Sequence, residues 1–243
     1  MNSEFSNVVN QAADIATSGR WDSLNARLQE LAVNPGSDNG WWVHLVGSLC
    51  SLNFSEYLSL KWAYENEQDA PLLAWRARNL LELAVWTRYC AQDRENARRL
   101  FEDAGRDTRE VYDKFLAFGK AGLFTGEIPS DWAEPFENAK QALHERARAE
   151  GIDSLDGRYM DVSAAADECG IAAHFGLINK FLSKFTHPTA LRILAPPDKE
   201  REESQKSYFF RYGCLFFIGA FQSLEGQLRA ENDHGGLSHD TAL

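Results

Sequence analysis

Apolar residues recur at helical spacing along almost the whole of this chain. Leu24, Leu28 and Leu31 lie three and four apart in a segment from Trp21 to Val33, which gathers them on one helical face. A companion segment, Glu4 to Ser18, precedes it, with Gly19 between the two. The run from Asn34 to Gly40 is dense in turn formers and predicts a break. Trp41 to Asn66 reads as a long helix with several apolar faces, and Pro71 suits the first turn of the next. That next helix, to about Cys90, carries Leu72, Leu73, Trp75, Leu80, Leu81, Leu83, Val85 and Trp86. A helix apolar almost all round is expected at the centre of a fold.

Asp93 to Phe124 has a different texture, with Arg94, Arg98, Arg99, Arg106 and Arg109 set among acids. It predicts a solvated helix laced with ion pairs, each worth little, and Gly105 is a point where it bends or breaks. Residues 122–130 read as a loop, Asp131 as the N-cap of a helix to about Glu150, and Gly151 to Tyr159 as a turn-rich connection. Ser163 to Thr186 is the next predicted helix; Pro188 pushes His187 out of helical geometry and should stop it there. Ala195 to Gln205, with Pro196 and Pro197 before a run of charges, predicts an exposed loop. Ser207 to Ala230 is the last helix and Glu231 to Leu243 a frayed tail. No strand-like alternation persists and no repeat of 20–50 residues recurs. The expectation is an all-α, multi-helix bundle of about seven or eight helices. Residues 1–66 would form an N-terminal helical segment packed on the core, 70–230 the bundle core and 231–243 a flexible tail.

Composition narrows the partners. With 25 Lys and Arg against 36 Asp and Glu the net charge is −11, and an acidic surface repels phosphate backbones. Nucleic acid could be met only through a local basic groove. Seven Trp and fifteen Phe favour a well-packed core and a sticky surface for a homodimer or a protein partner. Cys50, Cys90, Cys169 and Cys214 are scattered, without zinc-site spacing, and read as reduced, buried thiols of a cytoplasmic protein. The first residues lack a basic stretch followed by an apolar run, which argues against a secretory signal. Phe209 to Phe221 comes closest to a membrane span but is short and interrupted by Arg211, so no membrane is expected.

Candidate chemistry concentrates in two rows. Asn179, Ser183 and His187 are spaced four apart and line one stripe. Leu177, Ile178, Phe181, Leu182 and Phe185 are the expected core-facing side of that helix. Arg78 and Glu82 have the same spacing on the apolar helix, within a stripe of Trp75, Val85 and Tyr89. The pair is either an i,i+4 ion pair of limited exposure or a desolvated pair pointing into a pocket. His187 either caps the negative end of its helix or does acid/base work with Glu82 orienting the imidazole. Ser183 and His187 on one helix make no triad, and no nucleophile elbow, phosphate loop or H-E-x-x-H motif occurs. Asp161, Asp167, Glu168 and His174 lie near one another in sequence but lack the spacing of a metal site; neither metal nor cofactor is expected.

Three segments together carry a resemblance: Arg78-Asn-Leu-Leu-Glu82, Asp161-Val-Ser-Ala-Ala-Ala-Asp-Glu-Cys-Gly170 and Asn179-Lys-Phe-Leu-Ser183-Lys-Phe-Thr-His187. Over residues 70–225 or so they resemble a helical bacterial family with Arg-x-x-x-Glu and Ser-x-x-x-His motifs. That family is similar to the HEPN superfamily, and the resemblance implies a HEPN-like core. It also implies, in many members, dimeric RNases of toxin–antitoxin and phage-defence systems that use an Arg-x(4–6)-His motif. The one formal match to that motif here is Arg229 to His234, in the segment read as tail. Two functions stay open. In one, a non-enzymatic interaction or ligand-binding module, the polar row locks helix packing. In the other, a HEPN-like RNase or defence effector, Arg78 holds phosphate and His187 is the acid/base beside Glu82 and Ser183.

Overall fold

The computed structural model describes residues 3–32, 40–121, 131–152, 154–156, 159–187, 189, 193–194 and 198–235. Among these it is all helical, with nine helices. They are α1 (Ser3–Thr17), α2 (Arg20–Ala32), α3 (Gly40–Glu65), α4 (Ala70–Gln92), α5 (Arg94–Lys120), α6 (Glu134–Ala149), α7 (Val162–Glu168), α8 (Ala172–Thr186) and α9 (Lys199–Gly235). None is long and apolar enough to cross a membrane. The chain divides into two compact units, Met1–Arg94 with Val162–Leu243 and Glu95–Asp161.

In the larger unit α4 is central, as its all-round apolarity predicts, and packs against α3, α7, α8 and α9. Its start is well specified: Asp69 is extended and its carboxylate accepts from the Leu72 N–H at 3.0 Å, with Pro71 in the first turn. The helix α9 lies against α1, α3 and α4 through Phe209, Cys214, Phe217, Phe221, Leu224 and Leu228, all buried. Phe217 stacks on Tyr57 at 4.2 Å between ring centroids, and Trp21 stacks on Phe54 at 4.6 Å. A Cβ at Gly213 would lie 2.2 Å from Leu60 Cδ2, so that glycine lets α9 approach α3 closely. Thus α1, α2 and α3 share a unit with α4 and α9. All four cysteines are buried and free. Burial pushes the thiols of Cys50, Cys90 and Cys214 up to about 12.

The sequence reading needs four corrections in this unit and three in the other. The predicted helix from Ser163 to Thr186 is two helices, because Gly170 takes φ +69°, open to glycine without the Cβ penalty. The Gly170 N–H donates to Asp167 O (2.8 Å) and the Ile171 N–H to Ala166 O (2.9 Å), the paired bonds of a Schellman ending. The predicted loop to Gln205 is helical from Lys199, where Asp198 Oδ1 accepts from the Arg201 N–H; residues 195–197 lie outside the described ones. The predicted tail keeps a helical backbone through Gly235, and 236–243 lie outside the described residues. On α8, Leu182 is buried, but Leu177 and Phe181 of the expected core face are exposed.

In the Glu95–Asp161 unit, Asp131 does not supply the cap of α6. The N-cap position is Ala133, without a side-chain bond, and Asp131 accepts through its backbone from Glu134. Gly105 does not break α5; Leu155 occupies the space its Cβ would need, with Cδ2 at 2.8 Å. The ion pairs anticipated on α5 are present, but one is buried rather than solvated. Asp103 is 5% exposed and accepts from Arg106 Nη1 at 2.7 Å and from the Met160 N–H at 2.9 Å. Ala147, Ile152 and Leu155 form the small core here, flanked by Phe101 and Leu143.

Candidate functional site

The two polar rows meet. Arg78, on the flank of α4 that faces α8, reaches across with two of its three guanidinium nitrogens. Its Nε donates to Asn179 Oδ1 at 2.9 Å, and Nη1 lies 3.4 Å from His187 Nε2. Within α4, Nη2 pairs with Glu82 Oε1 at 3.1 Å. Every guanidinium nitrogen therefore has a partner, two of the three on α8. If Nη1 donates in the long contact with His187, Nε2 is the acceptor and Nδ1 carries the ring hydrogen.

Local structure fixes each participant. Asn179 lies two turns before the end of α8. His187 is its C-cap, in extended backbone geometry (φ −108°, ψ 154°), as a residue preceding proline prefers. Its backbone N–H donates to Ser183 O at 3.3 Å. The ring, however, turns to Arg78 instead of capping the helix. Ser183 does not join the group: its hydroxyl donates to Asn179 O at 2.7 Å on its own helix, a common alternative for serine in a helix. Glu82 reaches the imidazole only by way of Arg78.

The site is a surface one. The side chains of Arg78 and Glu82 are 27% and 31% exposed, and His187 is exposed. The ion pair is thus the moderately exposed i,i+4 pair, not a desolvated one. Trp75, from the same stripe, is 45% exposed with the Arg76 guanidinium 4.6 Å from its ring centroid, whereas Val85 and Tyr89 are buried. Asp167 and His174 are exposed, and among the described residues no three His, Cys, Asp or Glu side chains gather to hold a metal ion.

Sequence reasoning missed a second arginine network on α4. Arg76 Nη1 contacts both carboxylate oxygens of Glu56 on α3 at 3.0 and 3.1 Å, and Asn79 Nδ2 donates to the same carboxylate at 3.2 Å. The available signal was the two-residue offset from Arg78, which on a helix places Arg76 roughly on the opposite flank. Exposed apolar side chains were also missed: Leu177 (72% exposed) and Phe181 on α8, Tyr208 and Leu215 on α9. The Phe181 ring meets Tyr208 at 5.6 Å, edge to face.

Fold and site together define an all-α protein with an arginine-centred polar network tying a surface helix to a central one. No family model matches the chain, and neither a curated protein nor a solved structure matches it.

Proposed function

We propose that this protein is a non-enzymatic interaction module, in which the Arg78 network braces α8 against α4 and the exposed apolar residues of α8 and α9 form the contact surface. The observation that carries this is the engagement of Arg78: its three nitrogens are held by Asn179, His187 and Glu82, and the Ser183 hydroxyl, one turn before His187, is turned to its own helix. Such an arrangement holds helices together and offers no nucleophile beside a base. A surface combining Leu177, Phe181 and Tyr208 is of the aromatic and aliphatic kind that protein interfaces bury. A second copy of the chain is the simplest partner.

Two measurements test this. Arg78→Ala should lower unfolding free energy by about 1–2 kcal/mol, through lost hydrogen bonds and lost packing of the arginine stem. Unchanged stability would remove the bracing role. In sedimentation equilibrium, wild type should self-associate with rising concentration and Leu177→Glu should not; equal behaviour of the two would remove that surface.

The second reading is a HEPN-like RNase or defence effector. The juxtaposition of a guanidinium and a solvent-exposed imidazole, 3.4 Å apart, favours it, since a cation for phosphate beside an acid/base is what RNA cleavage uses. Incubation with total RNA separates the readings. The module reading expects no cleavage by wild type or His187→Ala; cleavage by wild type that His187→Ala loses, at equal stability, would replace it with the nuclease.

A further inference from the structure

Away from the Arg78 network, a groove of about 340 Å³ runs between α2 and α9. Arg20, Ser23 and Arg27 of α2 face Glu225 and Arg229 of α9 across a floor of Leu24 and Leu228. The helical period dictates this: positions 20, 23, 24 and 27 share one face of α2, and 225, 228 and 229 one face of α9. Leu24 and Leu228 are buried, so the floor is fixed by the core beneath it.

Among the side chains that line the groove, arginines outnumber carboxylates three to one. One carboxylate, Glu225, is shared by Arg20 at 3.4 Å and Arg229 at 3.2 Å. Arg20 reaches one further acid, Asp14, only at 3.9 Å, and its guanidinium lies 4.8 Å from the Phe221 ring centroid. Arg27 pairs outward, with Glu30, whose side chain is 67% exposed, and its Nε is buried without a hydrogen-bond partner. Three arginines and one carboxylate therefore line the groove, with Asp14 and Glu30 outside its lining, in a chain whose net charge is −11. Arginine forks suit carboxylate and phosphate oxygens geometrically. The volume is that of a small-molecule site, and an apolar floor with a few convergent polar groups is how such sites are built.

We propose that this groove binds a small organic anion. Its carboxylate or phosphate lies among Arg20, Arg27 and Arg229, and its apolar body rests on Leu24 and Leu228. Glu225 is then an internal competitor that holds two of the forks until the ligand's oxygens take them. This site is separate from the Arg78 network and does not depend on the function assigned there.

Isothermal titration of the full chain with phenyl phosphate tests the proposal, with inorganic phosphate and phenol as the charge-only and ring-only controls. Phenyl phosphate should bind saturably, more tightly than inorganic phosphate, with phenol not binding, and added salt should weaken it. Arg27→Gln and Arg229→Gln should each reduce affinity about tenfold. The Arg229 side chain is 74% exposed, so that variant tests the site without threatening the fold. Glu225→Gln should tighten binding, because it frees Arg20 and Arg229. Absent saturation in wild type, undiminished binding in both arginine variants, phenol binding as well as phenyl phosphate, or weaker binding by Glu225→Gln would each overturn the proposal. Inorganic phosphate binding as tightly as phenyl phosphate would overturn the apolar part of it.

Discussion

The two compact units are held by different forces. Where α3, α4 and α9 meet, the contacts are rings and branched chains: Phe217 on Tyr57, with Leu60, Leu73 and Leu80 fully buried around them. Between Glu95 and Asp161 the recurrent contact is guanidinium to carboxylate. Glu102 bridges Arg98 and Arg106, both at 3.1 Å, Arg106 continues to Asp103, and Arg109 holds Asp156. Arg98 also donates to Glu150 O at 2.7 Å, tying α5 to the end of α6. Apolar burial is non-directional and scales with area. Ion pairs near water gain little singly and depend on geometry and salt. The first unit should therefore lose more from removal of a ring than from removal of a charge, and the second should depend on the one carboxylate that is buried.

The largest effect should come from Phe217→Ala, which removes a fully buried ring from the aromatic cluster. A loss of about 3–5 kcal/mol in denaturant unfolding is expected, and a loss below about 1 kcal/mol would mean that rings do not dominate that core. Next is Asp103→Ala, which strands the Met160 N–H and leaves Arg106 with Glu102 as its remaining carboxylate. It should cost about 2–3 kcal/mol, read as faster hydrogen exchange through residues 95–161. Glu110→Ala, which removes the partner of exposed Lys114, should leave exchange unchanged; equal effects of the two would erase the distinction between buried and surface charge.

The last effect is absent at neutral pH and appears only in alkali. All four cysteines belong to the ring-packed unit. Unfolded thiols ionise near 9.0, whereas Cys50, Cys90 and Cys214 stay protonated in the folded state to about 12. In that window the unfolded chain binds fewer protons, so stability is intact below pH 9 and falls as pH rises toward 12. Replacing Cys214 by Ala should flatten that fall in a series of melts; an unchanged slope would assign it to other groups.

How far the sequence carried the fold depended on where the signals were. Apolar periodicity located α1 to α4 within a residue or two, because Gly19, the 34–40 break and Pro71 punctuate it. It failed where chemistry other than apolarity decides. Lys199 to Lys206 has no apolar period, yet Glu, Lys and Arg are good helix formers, and Asp198 starts the helix. Gly170 looked like one more residue in a helical run, and only its positive φ splits it. At the site, four-residue spacing put Asn179 and His187 on one stripe, and the structure brings both to Arg78. It could not tell that the Ser183 hydroxyl would choose a carbonyl one turn back, since both directions satisfy it. Nor could it find Arg76 with Glu56, a contact between residues twenty apart on different helices.

Those two arginines have a mechanical consequence. Residues two apart on a helix point about 200° away from each other, so Arg76 and Arg78 clamp α4 from opposite sides, one to Glu56 and the other to Asn179 and His187. A single clamp would leave the helix free to roll about the joint. Two opposed ones fix its rotation, and a slide of one turn, about 5.4 Å, would open both at once. The central helix thus behaves as a keyed shaft: neighbours can be detached from it, one side at a time, but cannot creep along it.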